Sequence, residues 1–201
     1  MGACVELGPE DIEEDVVKES QVTYFEGYLW DPPRAKDAIR LACDIAHGAG
    51  RKTAITLSDT FCVDRYRDEF VDLLRSGAVD IVFANDGEAR ALYQTSDLNS
   101  ALNALAEDCQ LAIVTQGSEG SITVTREKRS VCPALPADNL KDTTGAGDLF
   151  AAGFLFGMTN GFELEQAARF GNFAANNVIQ EIGSRPFGDL RDLAHQAGLF
   201  A

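Results

Sequence analysis

The feature that most restricts the fold is an alternation, because short β-rich runs are followed repeatedly by stretches with helical spacing. VTYFEGYLW at 22–30 reads as a buried strand, and Asp31-Pro32-Pro33 behind it signals a helix start. Ala35, Ile39, Ala42, Ala46 and Ala49 then repeat at helical intervals, with Gly48 and Gly50 ending the run. KTAITLS (52–58), VDIVFAN (79–85) and LAIVTQG (111–117) predict further strands, separated by the helix DRYRDEFVDLLRSG (64–77) and by helices opening at Asp86 and at Asp97. Residues 120–125 and 128–133 predict a hairpin around the turn REK, and the chain beyond Gly147 reads as helical. Strands alternating with helices imply parallel β-α-β units, an α/β fold with a mostly parallel sheet covered by helices on both faces. Such sheets bind ligands at the carboxyl ends of their strands. The residues to inspect are therefore Glu26, Ser58, Asn85, 116–120 and the segment before Asp148.

Composition narrows the function classes. The chain has 201 residues, 45% of them hydrophobic, enough for one sizeable domain spanning 1–201. A formal charge of −15 leaves no basic face for nucleic acid or for an anionic membrane surface. The five cysteines (Cys4, Cys43, Cys62, Cys109, Cys132) are scattered without C-x-x-C spacing, which predicts reduced and mostly buried thiols. His47 and His195 stand without a ligand cluster and are assigned no metal. The acidic N-terminus does not read as a secretory signal, Glu6 argues against myristoylation at Gly2, and no apolar run has the length of a membrane span. A cytoplasmic protein is expected.

One stretch carries chemistry. In DTTGAGDLFAAGF (142–154) a carboxylate sits directly behind two glycines at the start of the most apolar helix. Thr143, Thr144, Gly145, Ala146 and Gly147 have small side chains or none, so backbone N–H groups at the helix tip can approach an anion such as a phosphate. Asp148 beside them can take a proton from a hydroxyl while the amides stabilise charge on a transferred group. The competing reading makes Asp148 a complement to the helix dipole, with Thr143 or Thr144 as N-cap.

DTTGAGDLFAAGF resembles the second signature of the ribokinase-like (PfkB) family of sugar and nucleoside kinases. Two more stretches match in the expected order. Asn85-Asp86-Gly87-Glu88 resembles the family's N-x-x-E motif, and 115–120 (TQGSEG) resembles its T-x-G-x-x-G turn. The resemblance runs from about Val22 to Pro186 and implies a three-layer α/β/α sandwich. It also implies an ATP- and Mg2+-dependent phosphotransferase for a hydroxyl of a sugar or nucleoside, adenosine-like or ribose-like. By resemblance Asp148 is the base, and Gly145, Ala146 and Gly147 form the anion hole. Asn85 and Glu88 organise the hydrated magnesium and phosphates, Thr115, Gly117 and Gly120 lie along the ATP, Asn172 lies on the adenine side, and Glu26 near the acceptor. Asp142 and Thr144, with carbonyls near Ile182 and Gly183, line a monovalent-cation (K+) site in relatives. Asn85 and Glu88 also fit a helix-capping box, Gly117 and Gly120 plain turns, and Asp142 and Thr144 a structural cap.

The early sugar-gripping region, the preceding strands and the small lid of the family do not appear in the sequence, so the domain reads as truncated at its N-terminal side. Two expectations follow. A sheet edge is left that favours pairing with another chain, as in a homo-oligomer. Turnover of the isolated chain is weak, which makes a non-catalytic nucleotide-binding remnant the alternative function.

Overall fold

The computed structural model describes residues 2–137, 139–186 and 188–200. The chain forms two compact units: Met1–Val114 with Val124–Lys128, and Thr115–Thr123 with Arg129–Ala201.

In the first unit, strands β1 (Val22–Glu26), β2 (Lys52–Thr56), β3 (Ile81–Asn85) and β4 (Leu111–Thr115) follow one another in chain order across the sheet. The pairs β1–β2 and β2–β3 are parallel, with Glu26 opposite Thr56 and Thr56 opposite Phe83. Helices α1 (Glu14–Glu19), α2 (Pro33–Gly48), α3 (Thr60–Arg75), α4 (Asp86–Leu92) and α5 (Leu98–Asp108) complete it. The strands read as near-continuous apolar runs because they are buried: Ile55, Val82 and Ile113 are all inaccessible or nearly so. Ala35, Ala38, Ile39, Ala42 and Ala46 form the buried face of α2, at the helical spacing expected.

Four details differ from the sequence reading. The first strand stops at Glu26, and Gly27–Trp30 is a single 3-10 turn that seats Trp30 in the core. The other three strands are also shorter than their apolar runs, because the flanking residues serve the turns. Helix α3 starts at Thr60, four residues early, where the Asp59 side chain accepts from Cys62 N at 2.8 Å. A kink at Tyr66 (φ −121°, ψ 24°) offsets its first turns from the remainder, so one helical period read back from Gly77 misses them. The apolar pattern does not predict helix α1, because only Val17 of it is buried.

In the second unit, β5 (Ser121–Val124) and β6 (Arg129–Cys132) are neighbours, as the hairpin reading required. Helices α6 (Ala146–Thr159), α7 (Leu164–Val178) and α8 (Leu190–Gln196) follow. Phe150 and Phe154 bury themselves along α6, while Phe156, Phe162, Phe170 and Phe200 make edge-on and tilted contacts with ring centroids 5.1–6.3 Å apart. Cys43, Cys62 and Cys109 are buried free thiols, Cys132 is partly buried and Cys4 is exposed. Among the described residues no helix is long and apolar enough to cross a membrane.

Candidate functional site

The sequence-predicted residues fall into two groups, one in each unit. In the first unit, Asn85 ends β3 and caps α4. Its Oδ1 accepts from Glu88 N at 2.8 Å, while its backbone N–H and Nδ2 donate to the two Glu88 carboxylate oxygens at 2.9 and 2.7 Å. The capping box is therefore complete. Glu88 is only 4% exposed. Burial pushes its carboxyl above the usual carboxylate range; the Asn85 N–H pulls it back, and the nearby carboxylates of Asp59, Asp86 and Glu26 push it up further. Glu26 is the last residue of β1, and Ser58 Oγ donates to its Oε2 at 3.2 Å.

In the second unit, Asp142 to Asp148 form a loop running into α6. Asp142 staples that loop: Oδ1 accepts from Thr144 Oγ1 at 2.7 Å and from Thr144 N at 2.9 Å, and Oδ2 accepts from Gly183 N at 3.0 Å. Those donors, Thr144 first, hold its carboxyl below the usual range. Gly145 is the N-cap of α6 with φ of 79°, and a Cβ there would lie 2.8 Å from Ser184 Cβ, so only glycine fits both the turn and the space.

The helix tip is open. A Cβ on Gly147 would meet nothing within 4 Å, and Gly147 and Asp148 are exposed. Asp148 is thus exposed although it opens an apolar run. The helix axis turns the first residues outward and buries only from Phe150 on. Of the three amides assigned to an anion hole, that of Ala146 is committed to Thr143 O at 3.1 Å. The amides of Gly147 and Asp148 occupy the second and third helical positions, which have no intrahelical acceptor, and among the described residues no side chain caps this helix.

Thr115 ends β4, and 116–120 form a tight turn in which Gln116 N donates to Gly120 O at 2.8 Å, with Gly117 and Gly120 at φ of 56° and 101°. Asn172 is buried on α7, and its Nδ2 donates to Cys132 O and Pro133 O, both at 3.1 Å. Asn176 repeats the device on Leu135 O and Pro136 O at 3.0 Å. Asn172 therefore spends its donor group on the chain leaving β6. The amides at 172, 176 and 180 were visible as an i, i+4, i+8 row in the sequence, and that spacing was the missed signal.

The model of the pfkB family carbohydrate kinases matches residues 5–189. An adenosine kinase of Saccharomyces cerevisiae is 30% identical over 198 residues, covering 91% of this chain and 57% of the yeast protein. The crystal structure of an adenosine kinase from Sinorhizobium meliloti superposes with a TM-score of 0.96 at 62% identity, covering 97% of this chain and 60% of that one. A probable sugar kinase from Rhizobium etli superposes equally well, at 57% identity with 98% and 59% coverage. The chain spans about three fifths of the length of these relatives. These neighbours share the α/β fold that the alternation of strands and helices predicts, and the ribokinase-like form implied by the resemblance is the fold of a putative Ribokinase II from E. coli, which superposes with a TM-score of 0.86 at 20% identity. With a match that runs from residue 5 to residue 189, the chain belongs to the pfkB family of carbohydrate kinases.

Proposed function

We propose that the chain carries the phosphotransfer machinery of an ATP-dependent kinase acting on a hydroxyl of a sugar or nucleoside. The observation that carries this reading is the open tip of α6: amides at Gly147 and Asp148 with no acceptor among the described residues, empty space over Gly147, and an exposed carboxylate in the same turn. Asp148 accepts the proton of the acceptor hydroxyl as its oxygen bonds to the γ-phosphorus and the bond from that phosphorus to the departing ADP oxygen breaks. The tip amides hold the transferred group by hydrogen bonds and by the helix dipole. The Thr115–Gly120 turn offers backbone to the nucleotide, and Asn172 supports an adenine-side wall by pinning the segment after β6. Glu26 receives the acceptor.

Magnesium fits only through water. Both Glu88 oxygens already accept from Asn85, and the described residues contain no group of three His, Cys, Asp or Glu placed to hold a metal. Asn85 and Glu88 would hold the hydrated ion by outer-sphere hydrogen bonds, and the bound ion would supply charge neutralisation on the phosphates. A potassium ion would be held by Asp142 and Thr144 with the carbonyls near Ile182 and Gly183; Asp142 already ties the segments together by accepting from Thr144 and from Gly183 N.

The test is phosphate transfer to adenosine, ribose and fructose together with the melting shift on adding ATP and magnesium. Expected are a shift and transfer that Asp148→Asn lowers by about a thousandfold while the shift remains. A second reading is a nucleotide-binding module without turnover. A melting shift with no transfer to any acceptor selects it. No shift at saturating nucleotide sinks both.

A further inference from the structure

One residue at the carboxyl end of the first unit's strands is held at a cost to the backbone. Ser58, two residues beyond β2, has φ of 69°, a region that glycine, asparagine and aspartate enter far more readily than serine. Its hydroxyl is fully used. Oγ accepts from Tyr28 N at 3.3 Å and lies 3.2 Å from Glu26 Oε2 and 3.5 Å from Thr56 O. The nearer, charged acceptor takes the single proton.

The meeting is built by both strands. Glu26 pairs in register with Thr56, and a Cβ on the following Gly27 would lie 2.8 Å from both Thr56 O and Leu57 O. Only glycine lets the chain leaving β1 lie flat on the chain leaving β2. Cys62 Sγ donates to Gly27 O at 3.3 Å, and Asp59 fixes the start of α3 through Cys62 N. The corner is tied from β1, β2 and α3, which is the setting in which a strained residue persists, and such residues cluster at functional sites.

We infer that Ser58 is a positioning residue: its hydroxyl fixes the Glu26 carboxylate in the orientation that receives a hydroxyl-bearing acceptor. The inference rests on the kinase reading for what Glu26 binds, and on the Ser58 geometry alone for how Glu26 is held. A glycine at 58 would suit the backbone better and remove the hydroxyl that is bonded to Glu26 Oε2.

The experiment compares the full chain with Ser58→Gly, Ser58→Ala, Glu26→Gln and the double variant Ser58→Gly/Glu26→Gln. Ser58→Gly is expected to melt no lower than the parent, keep the ATP–magnesium melting shift, and lose about tenfold in kcat/KM for the acceptor, mostly through KM. Ser58→Ala keeps the backbone strain and loses the same acceptor efficiency with a lower Tm. The double variant loses no more than Glu26→Gln alone. An unchanged acceptor KM in Ser58→Gly while Glu26→Gln raises it overturns the inference, as does an equal loss for ATP and acceptor with a lower Tm. Side-chain couplings of Glu26 by NMR separate this from the parent reading, because they need no turnover. A single rotamer in the parent and averaging in Ser58→Gly supports Ser58 even if no acceptor is phosphorylated; identical couplings refute it.

Discussion

Two carboxylates flank strand β3, and they have been treated in opposite ways. Asp80 stands just before the strand and is 3% exposed; Glu88 stands three residues after it and is about equally buried. Burial works against the charge of Asp80, yet Lys52 Nζ at 2.8 Å, Thr53 N at 2.8 Å and His47 Nε2 at 2.9 Å outweigh it and hold the carboxyl below its usual range. Among the described residues Glu88 has no ion-pair partner. Its donors come from Asn85, its charged neighbours are acids, and its carboxyl is pushed up. The difference separates a staple from the proposed site. At the entry end of the strand, charge is compensated within the fold and ties α2, β2 and β3 together. At the exit end, where parallel sheets bind ligands, negative charge is left under-compensated, and a bound cation with its waters would relieve it.

The largest effect should come from breaking the staple. Asp80→Ala is expected to cost about 3 kcal/mol in urea denaturation at pH 7, because Thr53 N loses a buried charged acceptor and Lys52 loses its ion-pair partner. A loss under about 1 kcal/mol would show that the entry end is as loosely compensated as the exit end. The pH dependence has a definite sign. With its folded value below the unfolded value of about 3.9, Asp80 stabilises fully above that value, and the contribution is lost as pH falls through the folded value. The parent should therefore lose stability below about pH 4 more steeply than Asp80→Ala.

Next in size is Asn85→Ala, expected to cost about 2 kcal/mol, because it removes the helix cap and one of the two donors to a buried carboxylate. Carbon-detected titration of Glu88 should move upward in the same variant, and an unmoved midpoint would show that the capping box does not restrain it. Lys52→Met should make Asp80 resemble Glu88, raising its midpoint. Lys52 is about half exposed, so solvent screening limits the stability loss to about 1 kcal/mol. The smallest effect belongs to Asp59→Asn, which keeps an N-cap acceptor for α3 and changes stability by less than about 0.5 kcal/mol. It removes one of the acids that push Glu88 up, so the pH at which Glu88 releases its proton should fall. A rise instead would mean that the exit-end carboxylates do not interact.

The two ends of β3 differ in legibility as well. Asn85 and Glu88 were readable because a capping box and the family motif share the same spacing, and the helix they start was placed correctly. Asp80 was read only as part of an apolar strand, since its partners Lys52, Thr53 and His47 lie 27 to 33 positions away and meet it only when β2 and β3 pair. The glycines of 145–147 were legible as a helix tip, but which amides stay open was not: Thr143 O takes Ala146 N, a turn detail that the residue types do not specify. Asn172 shows the converse, a buried amide whose donors go to backbone on β6 and beyond.

Periodicity and punctuation, set by local sterics and by the need to bury apolar faces, determined the order of strands and helices and the family motifs placed between them. Tertiary pairing alone decided which acids are compensated, that Asp148 faces outward, and that Ser58 accepts a strained backbone to hold Glu26. The physical reason is range. Helix and strand formation depend on neighbours within a few residues, whereas the charge and hydrogen-bond state of a side chain depends on groups that only the folded sheet brings within about 3 Å.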